Sequence, residues 1–446
     1  MPNWRRGGGK KAARARRVTL GAAVIDDESS ILKKARLFAR YAYVAEPRWD
    51  ILKLFDNADF AARKREFAAL SRGALIEQIG ATARLVFEEI FASARDDIIV
   101  PLSGGRDSRL ILCMARELGM LDRVVTLTWG PRDGLDSTLA ASVAALFGVR
   151  HERIDPREHA YTFATLRRAY ENGAHWTDLV LAHFNQKWKR YARHGSTAII
   201  GYLGGPPVGV HYKLGEEGMD FAHAVQSFDR LNARSRSGPS MIGDVRARLI
   251  APSLVSYAEQ LDLAYRQEGY LRRIVAGPDP RVRKPFAHAV WLQMAYALPP
   301  AHRAGSTLYS AYLMREFPDA FSIGVSGAYG LLCNAPVWAR RAQRRMLMAV
   351  HNVVNSRRRA HFATFDKYGD ERDLLRGVRA MLRDVDARAL VRAISSRQPA
   401  SAETAALMRR HAMLLCNCLI DAQSRAERKG AGAKHDVFAT TEESSV

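Results

Sequence analysis

The spacing of hydrophobic residues changes along the chain and predicts its fold class. From Arg72 to Ala94 apolar residues recur every three or four positions, which predicts an amphipathic helix. Short β-branched runs then alternate with longer helical runs as far as about residue 210. Strands are predicted at 96–102, 123–129, 150–155 and 196–203, and helices at 107–119, 136–147 and 159–193, the last broken near Gly173. This alternation is typical of βαβ units, so we expect an α/β fold with a parallel sheet.

The second half of the chain has no comparable strand pattern, and its apolar spacing favours helices. Helices are predicted at 249–275, 286–298, 306–317, 337–356, 371–396 and 402–426, with loops at 235–244 and 276–284. The residues between 205 and 245 match no pattern. We therefore expect a disordered basic tail at 1–17, an N-terminal region at 18–73, an α/β core at 74–210, a mostly helical lobe at 211–424 and a disordered tail at 425–446.

Charge adds a possible class of partner to this picture. The chain has 68 Lys and Arg residues against 46 Asp and Glu, a formal net charge of +22, and residues 1–17 carry seven basic and no acidic side chains. Such a field attracts polyanions, so the basic tail is a candidate contact for them. The alternative is that arginines simply cover solvated helix faces.

Two classes of protein are disfavoured by the residues themselves. No stretch approaches the roughly 18 unbroken apolar residues that span a bilayer, and the N-terminus lacks the apolar segment of a secretory signal, so we expect a cytoplasmic protein. Cys113, Cys333, Cys416 and Cys418 lack metal-site spacing and are expected to be reduced core thiols. The oligomeric state has no signal in the sequence.

The residues with the clearest chemistry follow the first predicted strand. Ser103-Gly104-Gly105-Arg106-Asp107-Ser108 separates that strand from a helix. Glycines let the backbone approach an anion, the serines add hydroxyl donors, and the helix N-terminus favours negative charge. Asp107 can cap the helix or hold a divalent cation on a polyphosphate. The spacing differs from GxxxxGK[ST], the Walker A pattern.

This Ser-Gly-Gly-x-Asp-Ser stretch resembles the PP-loop of the ATP pyrophosphatase superfamily. The segment 126–155 is similar to the second βαβ step of asparagine synthetase and β-lactam synthetase, and 284–321 resembles a helical segment of the same family through its Pro-Phe, Ala-Leu-Pro-Pro and Arg-Glu residues. The resemblance covers about residues 75–350. It implies an adenine nucleotide alpha hydrolase-like domain with a helical second lobe, and ATP and Mg²⁺ as ligands.

The resemblance also implies roles for individual residues. Asp107 would hold Mg²⁺, and the strand ends and the loop would contact ATP. The implied nucleotide-binding residues are Leu102, Ser103, Gly104, Gly105, Asp107, Ser108, Thr128, Gly201 and Tyr202.

Three departures from the family pattern change what the resemblance implies. Residue 2 is proline where glutamine-dependent members have cysteine, and fewer than a hundred residues precede the PP-loop, so no glutaminase domain is expected. The family's acidic loop after the fourth strand is replaced by a stretch without carboxylates at 199–212, for which Asp133, Asp136 or Asp178 would have to substitute. Ala311 stands where a catalytic lysine is expected, which leaves Lys284, Arg303 and Arg315 as candidate catalytic cations.

We therefore expect an ATP-dependent ligase that activates a small carboxylate as an acyl-adenylate, releases pyrophosphate and joins the acyl group to an amine as an amide or lactam. Two alternatives stay open. One is a PP-loop enzyme that modifies tRNA, which the net charge favours. The other is a nucleotide-binding protein with weakened catalysis, which the missing acid and lysine favour.

Overall fold

The structure is a computed structural model, and it describes residues 28–130, 132, 134–155, 163–185, 187–191, 193, 195–235, 238–358, 413–421, 423–425 and 427. Several predictions from the sequence fall elsewhere. The basic tail at 1–17, the helix at 371–396, Asp133 and nearly all of the tail at 425–446 lie outside the described residues.

Five parallel strands form one sheet in the order β3-β2-β1-β4-β5. The strands are β1 (Ile98–Pro101), β2 (Val124–Trp129), β3 (Arg150–Ile154), β4 (Thr197–Ile199) and β5 (Val282–Arg283). Ile98 is in register with Val124 on one side and with Thr197 on the other. Because helices cover both faces of such a sheet, its central strands read as continuous apolar runs, as β1 does. The predicted α/β class, the parallel sheet and the four predicted strands are confirmed.

Two elements in the second half differ from the expectation. Residues 282–283 were expected in a loop but form β5, which pairs with β4 and extends the sheet. A two-residue strand carries no alternation pattern, and its partner lies more than eighty residues earlier, so local periodicity does not reveal it. A helix, α8 (Phe221–Asn232), occupies part of the stretch that matched no pattern, and Asp220 caps it by accepting a hydrogen bond from the His223 amide.

Helices account for most of the remaining described chain. Before α8 these are α1 (Glu28–Tyr41), α2 (Ala58–Ala69), α3 (Arg72–Ala92), α4 (Asp107–Glu117), α5 (Leu135–Phe147), α6 (Phe163–Glu171) and α7 (Leu179–Asn185). After it follow α9 (Tyr257–Leu261), α10 (Arg272–Val275), α11 (Ala289–Ala297), α12 (Pro300–Arg303), α13 (Thr307–Glu316), α14 (Pro318–Phe321), α15 (Val337–Arg358) and α16 (413–421). A π-helix, Asp262–Leu271, joins α9 to α10.

Local sequence explains where several helices begin and end. Ser71 accepts a hydrogen bond from the Ala74 amide and caps α3, and Gly148 ends α5 with a φ of +63°. Gly173, with a φ of +93°, separates α6 from α7. The predicted break near that glycine is confirmed.

One continuous hydrophobic core joins the N-terminal helices, the sheet and the helical half. It runs from Ile31 through β1 and α4 to Trp291 in α11 and Ile420 in α16. All four cysteines are buried and free. Of the helices in the described part of the chain, none combines the length and the apolar character needed to cross a membrane.

Candidate functional site

A cavity of about 750 Å³ lies at the carboxyl ends of β1, β2 and β4. Parallel strands place their ends, and the helix N-termini that follow them, at this edge of a sheet, where ligands bind in open α/β folds. The predicted nucleotide-binding residues on its wall are Leu102, Ser103, Gly105, Asp107, Ser108, Thr128, Gly201 and Tyr202. Gly104 lies within the same loop, and its amide donates to the Asp136 carboxylate at 3.1 Å.

The loop between β1 and α4 is held by short-range hydrogen bonds. The Ser103 amide donates to Ser108 Oγ, and the Gly105 amide donates to Ser103 Oγ, each at 3.2 Å. These bonds fold the loop over the first turn of α4. The first-turn amides of a helix have no partner within the helix, so the N-terminus of α4 offers donors to an anion in the cavity.

Asp107 is the first residue of α4 and lies deep in the cavity wall, where part of its side chain stays accessible. Burial raises the pKa of its carboxyl to about 6, against opposing effects from the Arg106 cation and from a hydrogen bond donated by the Tyr309 hydroxyl. That bond is long, at 3.4 Å. The carboxylate therefore keeps acceptor capacity for a cation or a donor in the cavity.

The glycine pair after β4 makes room for this carboxyl group. A Cβ atom on Gly204 would lie 2.2 Å from Asp107 Cγ, so any side chain there would displace the carboxyl group of Asp107. The neighbouring Leu203 has a φ of +65°, and Ser306, also on the cavity wall, has a φ of +55°. Non-glycine residues rarely adopt this conformation, and such strain concentrates at functional sites.

Asp136 is the second carboxylate on the cavity wall, and it was one of three candidates for the missing acid. Asp178 instead accepts a hydrogen bond from the Leu181 amide at the start of α7. The described residues contain no group of three or more His, Cys, Asp or Glu side chains placed to hold a metal ion. Mg²⁺ is normally held by one or two carboxylates together with substrate phosphates, and Asp107 and Asp136 are two carboxylates of this lining.

A hydrogen-bonded tyrosine and glutamate lie beside the loop after β4. Tyr202 donates from its hydroxyl to Glu268 Oε1 at 2.9 Å, and Glu268 also pairs with Arg272 Nε at 3.0 Å. Burial raises the pKa of Tyr202, and the negative charge of Glu268 raises it further. Glu268 belongs to the π-helix, a rare form that often occurs at functional sites. This pair joins Tyr202 on the cavity wall to a buried carboxylate.

Other cationic and polar residues on the wall were not predicted from the sequence. Arg266, Gln267, His211 and Arg340 line the cavity together with Arg106. Burial lowers the pKa of His211, and the Arg266 cation lowers it further. Two stretches of the sequence indicate tight turns in these walls: the Gly-Gly pair at 204–205 and the Gly- and Ser-rich stretch at 324–330. The π-helix has no such signal.

The three predicted catalytic cations do not line this cavity. Arg315 is exposed on α13, where its Nε donates to Glu316 at 2.7 Å. Arg303 is buried, pairs with Glu259 and stacks on two aromatic rings, and burial lowers its pKa to about 10. Lys284 follows β5 and is half-buried, and burial together with the Arg272 cation lowers its pKa.

Two arginines that flank the loop have different roles. Arg106 extends along the cavity wall and donates to Ser306 Oγ and Ser310 Oγ, each at 2.8 Å. Arg109, three residues later on α4, faces neither the cavity nor the solvent. It is fully buried, and its guanidinium donates to the carbonyls of Ala320, Ile323 and Gly324 at 2.6 to 3.0 Å. It joins α4 to α14 and to the segment after that helix.

Comparisons with known proteins add no assignment. No protein-family model matches the chain, and no curated protein is similar to it in sequence.

Proposed function

We propose that this protein is an ATP-dependent, AMP-forming carbon–nitrogen ligase of the asparagine synthetase-like type. The observation that carries the proposal is that every predicted nucleotide-binding residue except Gly104 lines a single cavity. These residues come from the carboxyl ends of three neighbouring strands, β1, β2 and β4, where ligands bind in open α/β folds.

The wall of the cavity is suited to a nucleoside triphosphate. The N-terminus of α4 and the guanidinium of Arg106 supply positive charge and donors for phosphates. Asp107 and Asp136 would hold Mg²⁺, which neutralises the phosphates when it is bound. Leu102 and Trp129 give an apolar surface for a base.

The proposed reaction needs two transfers, and different residues support each. In the first, a carboxylate oxygen of the substrate bonds to the α-phosphorus of ATP, and the bond to pyrophosphate breaks. In the second, an amine bonds to the acyl carbon, and AMP leaves with the electron pair. The amine must lose a proton in this step, and Tyr202 can pass it to Glu268.

Charge on the α-phosphate and on the tetrahedral intermediate needs a cation in the cavity. Arg266 and Arg340 line the cavity, whereas Lys284, Arg303 and Arg315 do not. We therefore assign this role to the first two residues in place of the three that the sequence indicated.

Asp107→Ala tests the proposal by removing the buried carboxylate at the start of α4. We expect pyrophosphate release from ATP, measured with a panel of small carboxylates and Mg²⁺, to fall at least ~100-fold, because one of the proposed metal ligands is lost. The thermal midpoint should stay at or above that of the wild type. Asp122→Ala, on an exposed turn, is the matched control and should retain full release.

The outcomes separate the proposal from its alternatives. Release of pyrophosphate that is unchanged in Asp107→Ala would contradict the PP-loop assignment. ATP binding to the wild type without any pyrophosphate release, across the whole panel, would favour a nucleotide-binding protein with weakened catalysis. Release that requires RNA instead of a small carboxylate would favour a tRNA-modifying enzyme, which the net charge of +22 supports.

A further inference from the structure

Helix α15 carries a basic surface that contains an exposed tryptophan. Trp338 is 74% exposed and Val337 is 55% exposed, and both belong to the first turn of the helix. Val337, Trp338, Arg341, Ala342 and Arg345 line a surface groove, which we call the α15 groove. An exposed tryptophan of this kind is costly in water and marks a contact surface.

No acidic residue of α15 itself balances the charges of the α15 groove. Residues 337–358 include no Asp or Glu. In the part of the chain that the structure describes, Arg341, Arg344 and Arg345 are exposed and form no ion pair. The groove therefore favours a polyanion, and the favourable charge is concentrated on one turn and a half of helix.

The arrangement of the arginines around the tryptophan identifies the kind of polyanion. Trp338, Arg341 and Arg345 are spaced three and four residues apart, so they share one face of the helix. On that face the ring of Trp338 lies beside the two cations. Single-stranded nucleic acid requires a ring on which a base stacks, with cations beside it for the phosphates.

The α15 groove also continues into the cavity. Val337 lines both, and Arg340, on the same turn as Val337, lines the cavity. A strand seated in the groove would reach the cavity mouth within one helical turn. A small carboxylate substrate would not need a binding surface that extends beyond the cavity.

We infer that the α15 groove binds single-stranded RNA, with a base stacked on Trp338 and phosphates on Arg341 and Arg345. RNA is favoured over DNA because RNA commonly contains single-stranded loops and ends, in which the bases are unstacked. This binding is separate from the proposed ligase reaction, and it is measured without ATP, so that either proposal can fail alone.

The test is fluorescence anisotropy of a 5′-fluorescein-labelled, 15-nucleotide single-stranded RNA titrated with the full chain. In Arg341→Glu/Arg345→Glu we expect affinity to fall at least ~10-fold and the dependence of log affinity on log salt to become shallower by about 1.4 units, because two phosphate contacts are lost. Arg65→Glu/Arg72→Glu makes the same change in net charge at exposed positions of α2 and α3. It should change affinity less than ~3-fold.

The tryptophan separates stacking from charge. Trp338→Ala should weaken RNA binding by about 5- to 20-fold, and Trp338→Phe should stay within ~3-fold of the wild type, because phenylalanine retains a ring. Equal losses in both arginine double variants would overturn the proposal. So would binding of vesicles containing phosphatidylglycerol, or of polyglutamate, that matches the RNA affinity at the same salt and shows the same loss in Trp338→Ala.

Discussion

Two parts of the cavity wall are built in different ways. One part, the loop wall, is the consecutive stretch 101–108, whose amides and hydroxyls bond to one another. The other part, the assembled wall, comes from four separate segments at 200–211, 266–275, 305–306 and 325–340. In the proposed reaction the loop wall would bind the phosphates of ATP, which are the same whatever the acceptor. The assembled wall contains the residues that would distinguish one acceptor from another.

Arg109 joins the two walls, and its removal should have the largest effect on stability. Arg109→Ala leaves three carbonyls, one in α14 and two just after it, without their donor, and we expect the free energy of unfolding to fall by about 3–5 kcal/mol in urea denaturation. Arg116→Ala on the same helix removes an exposed ion pair with Asp319 and should cost less than ~1 kcal/mol. Similar losses in both variants would show that Arg109 does not join the walls.

The same contrast explains how much the sequence could predict. The loop wall was predicted residue by residue, because glycine, serine and a helix start within six positions are a local signal. The cations of the cavity were not predicted. Arg266 lies on the π-helix and Arg340 lies on α15, and both reach the cavity through packing between residues that are distant in the sequence. Arg303 has the positive charge expected of a catalytic cation, but Glu259, Tyr212 and Tyr296 enclose it away from the cavity. Burial of this kind depends on residues tens of positions away.

Substitution of Tyr202 tests the proton transfer that we assign to the assembled wall. In Tyr202→Phe we expect carboxylate-dependent pyrophosphate release to be kept and amide formation with ammonia to fall about 100-fold, because the route for the proton to Glu268 is lost. Hydroxylamine is a strong nucleophile with less need for a base, so hydroxamate formation should fall much less. Amide and hydroxamate products are measured by mass spectrometry.

Tyr212→Phe is the matched control for this experiment. It removes the hydroxyl of another tyrosine bonded to a glutamate, Glu217, and Tyr212 is not on the cavity wall. This variant should keep all three activities. If Tyr202→Phe formed amide at the rate of Tyr212→Phe, the pair Tyr202–Glu268 would have no part in proton transfer.

The smallest expected effect concerns the buried carboxyl of Asp107 in the loop wall. The charge that this residue needs for its proposed function lowers the stability of the folded protein. Burial raises the pKa of Asp107 from about 3.8 in the unfolded chain to about 6, so the folded state binds the proton more tightly. The stability that the neutral form contributes is complete below pH ~4 and is lost as the pH rises through ~6. Asp107→Asn should therefore be more stable than the wild type by about 1–2 kcal/mol at pH 7.5, and the difference should disappear near pH 4.

Urea denaturation at both pH values, with EDTA and without nucleotide, measures this difference. Asp122→Asn at the exposed turn should change stability by less than ~0.5 kcal/mol at either pH. A variant Asp107→Asn that was less stable than the wild type at pH 7.5 would mean that the carboxylate is held by partners in the folded state. The charge of Asp107 would then have a structural role in the loop wall, and the argument that this residue binds a cation would fail. If the expected gain is found, the protein retains a destabilising charge at the start of α4, and binding of a metal–phosphate ligand is the reason that the geometry supports.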